Sequence, residues 1–289
     1  MIPKRLLLRV HKWCGLAACL LILIQAATGL VNAYRHDLAQ LIDPGGMVRH
    51  AQVADAPLTE ILQSLDNAHP RLTLERLAFP EVADGTYLAH LRTAAGSKIY
   101  SSVDPGSAEV LRSGSIWRFP TEAAKGIHYN YTIGLLGLFI VSVVGLCILL
   151  LATTGLAYWW PKNGQIARQF RINRKAPGNF VLRQLHRNTG AAKFLLTGFS
   201  LVTGLVLSLN YIATDMGKKP DAYVDASPRP HFNLDDVVHQ ARTPFPNNYI
   251  RDIRFVSSNR VNVFFYAPQH GPRAVSLVGI DLQKNAVVS

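Results

Sequence analysis

The sequence predicts a membrane protein: an α-helical bundle of three spans that carries two small α+β domains on one side of the bilayer. Three observations predict it. Residues 13–34, 132–160 and 190–212 are apolar stretches, each reaching the roughly 20 residues that a hydrocarbon core of about 30 Å requires. The cations crowd the flanks of these stretches. Two long polar segments, one after the first stretch and one after the third, have mixed helical and strand-like patterning.

The charge sets the topology. The chain carries a net charge of +12. Lys4, Arg5, Arg9 and Lys12 precede the first stretch. Lys162, Arg168, Arg171, Arg174, Lys175, Arg183, Arg187 and Lys193 lie between the second and third or just inside the third. Neither basic segment contains an acid, and cation-rich short loops stay in the cytosol. This placement implies contact with anionic membrane lipid and excludes nucleic acid as the natural partner. The expected order is a cytosolic N-terminal segment and first span over 1–38, and an outer domain over 39–125. A second span follows over 126–161, then a basic cytosolic loop over 162–185. A third span over 186–213 and a second outer domain over 214–289 complete the chain. The first span reads as an uncleaved anchor rather than a signal peptide.

Each outer segment repeats one pattern. Residues 58–68 have a helical apolar rhythm, and strand-like runs follow at 72–78, 86–92 and 98–103. Residues 234–241 repeat the helix, and 249–257, 260–266 and 274–280 repeat the strands. Asp281 stands where Asp104 stood. The spans repeat as well. His11, Gly15, Thr28 and Gly29 recur at identical offsets as His186, Gly190, Thr203 and Gly204, and a further Thr153-Thr154-Gly155 closes the second stretch. Such internal repeats are common in membrane assemblies. This pattern leads to the expectation of a fourth span matching the second, so these 289 residues read either as a natively short chain or as a shortened four-helix protein.

Four histidines sit at span edges: His11, His36, His128 and His186. An ionisable side chain at a bilayer edge is by default a functional-site hypothesis, and imidazole is a common axial ligand of haem iron. His11 and His186 begin parallel copies, so they pair at the cytosolic side. His36 closes the first span and His128 opens the second, so they pair on the outer side. His36 is 25 residues beyond His11, which returns it to nearly the same helical face. Gly15 and Gly190, four residues after their histidines, leave clearance for a flat macrocycle. The competing reading makes these imidazoles interfacial residues without a ligand. Tyr211 replaces a histidine at the third-span position equivalent to His36. His50, His69, His90, His231, His239 and His270 read as solvated or core residues. Gln25, Thr28, Thr154 and Thr203 read as interhelical hydrogen-bonding groups, and Tyr158, Trp159 and Trp160 as an interfacial belt. Cys14, Cys19 and Cys147 read as packing residues. No signature of hydrolysis, phosphoryl transfer or nucleotide binding is present.

His11-Lys-Trp-Cys-Gly, Tyr34-Arg-His-Asp, Ile127-His128-Tyr-Asn-Tyr, Tyr158-Trp-Trp-Pro and Leu185-His186-Arg-Asn-Thr-Gly together resemble the PepSY-associated transmembrane helix family. The outer segments are similar to PepSY domains, with Val103-Asp-Pro-Gly as the terminal strand and turn. The resemblance implies a bacterial inner-membrane protein of iron uptake, of the ferrisiderophore reductase type. It implies two haems b, with His11 and His186 on the cytosolic-side iron and His36 and His128 on the periplasmic-side iron. It further implies a ferric siderophore as oxidant and a cytosolic or quinol electron donor; whether protomers pair as a homo-oligomer to supply a further helix is left open by the sequence. Two other roles fit the same residues: a non-enzymatic PepSY module that binds a partner protein, and an accessory electron-transfer subunit.

Overall fold

The structure is a computed structural model that describes residues 4–161, 164–215, 232–268, 274–284 and 286–288. Lys162, His231 and His270 lie outside the described residues. In chain order the helices are α1 (Lys4–Ala33), α2 (Arg35–Ile42), α3 (Pro44–Met47), α4 (Leu58–Ala68), α5 (Pro120–Asn130), α6 (Gly134–Trp159), α7 (Ile166–Gln169), α8 (Gly178–Ala192), α9 (Phe194–Asp215) and α10 (Leu234–Arg242). The strands are β1 (Thr73–Ala78), β2 (Tyr87–Arg92), β3 (Lys98–Val103), β4 (Val110–Gly114), β5 (Ile250–Ser257), β6 (Arg260–Tyr266), β7 (Val275–Asp281) and β8 (Ala286–Val287). The chain divides into a helical unit, residues 1–32 and 124–219, and a sheet unit, residues 33–123 and 220–289.

In the helical unit, α1, α6 and α9 are each long and apolar enough to cross a membrane. Their outward side chains are bare: Leu195 and Leu196 are 80% and 76% exposed. That much contiguous apolar surface marks a membrane-facing region. α6 packs on α9 where Gly145 meets Leu205, whose Cδ2 would lie 3.3 Å from a Cβ at Gly145.

Two of the expected spans are interrupted. The second divides into α5 and α6 because Tyr131 and Thr132 take φ values of 50° and 63°, a left-handed conformation no helix can pass through. The turn needs Gly137, since a Cβ there would collide with the carbonyl of Asn130. The third divides at Lys193, where α8 passes into α9. α8 holds the preceding basic segment against itself. Gln184 Oε1 accepts from the Asn173 N–H at 2.9 Å, Asn188 Nδ2 donates to the Phe170 carbonyl at 2.9 Å, and Arg187 donates to the Gln169 carbonyl at 3.0 Å.

The sheet unit follows the repeat, with one difference. Instead of two separate domains, the two outer segments form one antiparallel sheet in the order β4-β3-β2-β1-β5-β6-β7-β8. β1 and β5 pair at the centre, with Leu77 opposite Ile253. Each half alone would expose β1 or β5 as an unpaired edge, and pairing them satisfies both. One core results: Ile61 and Leu65 of α4, Leu234 and Val237 of α10, and Leu74, Leu77, Ile253, Val263 and Phe265 of the sheet are buried together. The strand alternation seen in Val261, Val263 and Phe265 is the inward face of β6.

The halves are also tied by polar contacts. Asp235, at the start of α10, accepts from the backbone N–H groups of Leu58 and Thr59 at 2.8 and 3.0 Å and from the Thr59 hydroxyl at 2.7 Å. An acid of the second repeat thus caps the helix of the first. Asp104 and Asp281 close equivalent turns. Asp104 Oδ1 accepts from the N–H groups two and three residues on, Gly106 and Ser107, and Asp281 Oδ1 does so from Gln283 and Lys284. On the sheet face opposite α4 and α10, fully buried Asp252 accepts from Arg76, Arg251 and Arg254 at 3.1, 2.7 and 2.7 Å.

Candidate functional site

Of the four edge histidines, His11 alone stands on one of the three spanning helices. His36 lies on α2, His128 on α5 and His186 on α8. The expectation that His36 shares a helical face with His11 is corrected here. α1 ends at Ala33, and Tyr34, with φ −112° and ψ 25°, turns the chain into a separate helix. His36 belongs to the sheet unit, where its Nε2 lies 3.3 Å from Glu81 Oε2 beside the Arg35–Glu81 ion pair. His128 belongs to the helical unit.

His11 and His186 come together. Their ring centroids are 6.1 Å apart with the planes inclined at 70°. Two imidazoles bound on opposite sides of one metal, each through a bond of about 2 Å, place their centroids about 6 Å apart. Each ring can turn about its own metal–nitrogen axis, so the inclination is compatible with joint ligation. Beside His186, Gly190 opens onto space, for a Cβ there meets nothing within 4 Å. Gly15 is in ordinary contact with Leu151, 3.8 Å from a Cβ position.

Two histidines rest on Thr-Gly pairs of a neighbouring helix. His11 reaches α6, where its Nδ1 lies 3.2 Å from Thr154 Oγ1 and a Cβ on Gly155 would stand 3.1 Å from its Cε1. His128 reaches α1, where its Nδ1 lies 3.1 Å from the Gln25 carbonyl and 3.5 Å from Thr28 Oγ1. A Cβ on Gly29 would stand 2.9 Å from its Cε1. Glycine lets each imidazole edge come this close: a Cβ at Gly29 would force the His128 ring to shift, and one at Gly155 would push the His11 ring back by a few tenths of an ångström. The third pair, Thr203-Gly204 on α9, has nothing within 4 Å of its Cβ position. Sequence reasoning read Thr28 and Thr154 as interhelical hydrogen-bonding groups and missed that the group each one meets is an imidazole. The signal was the recurrence of the dipeptide, which names a small seat but not its occupant.

Buried polar atoms without a partner collect at the same places. In the helical unit the described residues hold three: Gln25 Nε2, Tyr131 Oη and Trp159 Nε1. Gln25 belongs to the seat of His128, Tyr131 follows His128 by three residues, and Trp159 follows Gly155 by one helical turn. An unpartnered buried polar group costs about 1–3 kcal/mol, and a native structure holds few of them. Among the described residues no cluster of three or more His, Cys, Asp or Glu could hold a bare metal ion, whereas a haem needs only two imidazoles from the protein. The three cysteines are free thiols.

Residues 8–260 match the family described as PepSY-associated TM region. No curated protein matches the chain.

Proposed function

Because the chain belongs to the PepSY-associated TM region family, we propose that it is a di-haem b electron-transfer protein of the bacterial inner membrane that reduces ferric siderophores on the periplasmic side. The observation that carries this reading is the meeting of His11 and His186 at 6.1 Å. The residues fit the group: two imidazoles at bis-ligand spacing, open space at Gly190, and an indole N–H of Trp159 buried without an acceptor one turn from the His11 seat. For the second haem the reading takes His128 as the ligand supplied by the helical unit.

His11 and His186 would hold a haem through two imidazoles, and the group would supply one-electron transfer. The chain's own residues have simpler tasks. α6 holds the His11 ring through Thr154, and α8 presents His186 from a segment braced by Gln184, Arg187 and Asn188. The apolar faces of α1, α6 and α9 exclude water. The basic flanks of α1 and α8 orient the chain with the His11 end in the cytosol, where a soluble or quinol donor would deliver electrons. The sheet unit would offer the ferric chelate its docking surface.

The test is an absorption spectrum of the full chain purified in detergent. A low-spin b-type spectrum with two haems per chain is expected, falling to one haem in His11→Ala and in His186→Ala. Full haem content in both variants overturns the pairing. A dithionite-reduced protein that ferric siderophores reoxidise supports the reductase role. Failure of that step with both haems intact indicates an accessory electron carrier instead.

A further inference from the structure

We propose that Thr154 and the Gln25–Thr28 turn are positioning groups that hold His11 and His128 in a single tautomer, with the proton on Nδ1 and the lone pair on Nε2. The inference rests on the haem reading above, because Nε2 is then the nitrogen left to bind iron.

The hydrogen bonds dictate the tautomer. A hydroxyl has one proton to give. Thr154 Oγ1 lies 2.6 Å from the Leu150 carbonyl, which can only accept, so its proton is spent there. Towards His11 the Thr154 oxygen can therefore only accept, and the Nδ1 3.2 Å away must be the donor. At the second seat the Gln25 carbonyl, 3.1 Å from His128 Nδ1, can likewise only accept. The Thr28 hydroxyl gives its proton to the Ile24 carbonyl at 2.7 Å, so it cannot donate to the imidazole either. Two histidines on different helices thus reach the same state by separate hydrogen-bond sets. In a neutral imidazole a proton on one nitrogen leaves the other as the ligand atom. Partners of that proton orient the ring and strengthen its donation to a metal. Thr203 supplies an internal control: its hydroxyl donates to the Phe199 carbonyl at 3.0 Å and no imidazole approaches Gly204.

The experiment has two arms on the full chain in lipid nanodiscs. In haem-free protein labelled with ¹⁵N-histidine, NMR is expected to find His11 and His128 protonated on Nδ1. Thr154→Val makes His11 a tautomer mixture, and Thr154→Ser restores the single form. In haem-loaded protein, Thr154→Val is expected to weaken one haem site about 10-fold. If that loss falls on the ferric state, the midpoint potential of that haem rises by about 59 mV, the one-electron equivalent of 10-fold. Thr154→Ser reverses the shift, and Thr203→Val leaves both haems unchanged. Nε2-protonated His11 in the wild type overturns the inference, as does a Thr154→Val variant with native tautomer and native potential. A wild type that binds no haem overturns the functional reading instead, while the haem-free arm still decides the tautomer.

Discussion

At the scale of single residues, the glycines around the two seated imidazoles differ in what they must leave open. Gly155 and Gly29 face their histidines at distances of 3.1 and 2.9 Å from a Cβ position. A methyl group there must push the ring away. On the proposed haem reading, Gly155→Ala displaces His11 and lowers the haem content of the purified protein, read from its absorbance. Gly190 faces nothing and lies within α8, so Gly190→Ala should raise stability by about 0.4–1 kcal/mol, the usual effect of removing a helical glycine. If a macrocycle occupies that space, the same substitution reduces haem loading. Unchanged loading in Gly190→Ala would remove that glycine from the site.

At the scale of elements, the short helices beside the spans decide what the edge histidines can do. α5 and α8 are separate from the membrane segments that follow them, and each carries its histidine on a helix with its own anchoring. The cap contributed by Asp235 to α4 is equally non-local. Asp235→Ala removes acceptors from Leu58, Thr59 and the Thr59 hydroxyl at once. The loss is expected to be about 1–2 kcal/mol, measured as a lower denaturation midpoint of the sheet unit's unfolding transition. A variant as stable as wild type would show that water replaces the cap without cost.

At the scale of the whole molecule, one sheet built from two repeats depends on its central pair of strands. Asp252 is buried beneath three guanidinium groups, and Arg76 stands directly opposite Arg254 across the β1–β5 pair. Like charges in that position repel, so the carboxylate is what makes the pairing tolerable. Asp252→Asn is expected to destabilise the sheet unit by about 3–5 kcal/mol, the usual effect of breaking a buried ion pair. Loss of under 1 kcal/mol on chemical denaturation would refute that role.

Acid should act on the same sites. Burial by itself would raise the Asp252 carboxyl, but Arg76, Arg254 and Arg251 outweigh it and hold it below the ordinary carboxylate value. Burial would likewise raise Asp104 and Asp235, yet backbone N–H groups, joined at Asp235 by the Thr59 hydroxyl, hold both low. A carboxyl lowered on folding contributes stability above its unfolded value of about 3.9, and the contribution is lost as pH falls through the folded value. Asp43 acts in the opposite sense: burial raises it despite Arg112, so its contribution is greatest in acid and is lost as pH rises. With three lowered groups against one raised, the sheet unit should lose stability below about pH 4, followed by circular dichroism. Stability that is flat down to pH 2 would contradict the assignment.

Much of this was legible in the chain itself. The three apolar stretches, the helix at 58–68, its copy from 234 and six of the eight strands follow from periodicity, because burial of one face imposes a period that local sequence must obey. The short β4 and β8 carry no such alternation. The matched offsets of His11 and His186 were likewise legible, since a duplicated segment keeps its register. Other features were decided only by tertiary contact. The joining of β1 to β5, the Asp235 cap, the breaks at Tyr131–Thr132 and Tyr34, and the seating of His11 on Thr154-Gly155 and of His128 on Gln25, Thr28 and Gly29 all bring together residues whose partners are far away or set by a turn. A periodic pattern states which face is buried; only the packed fold states what lies against it.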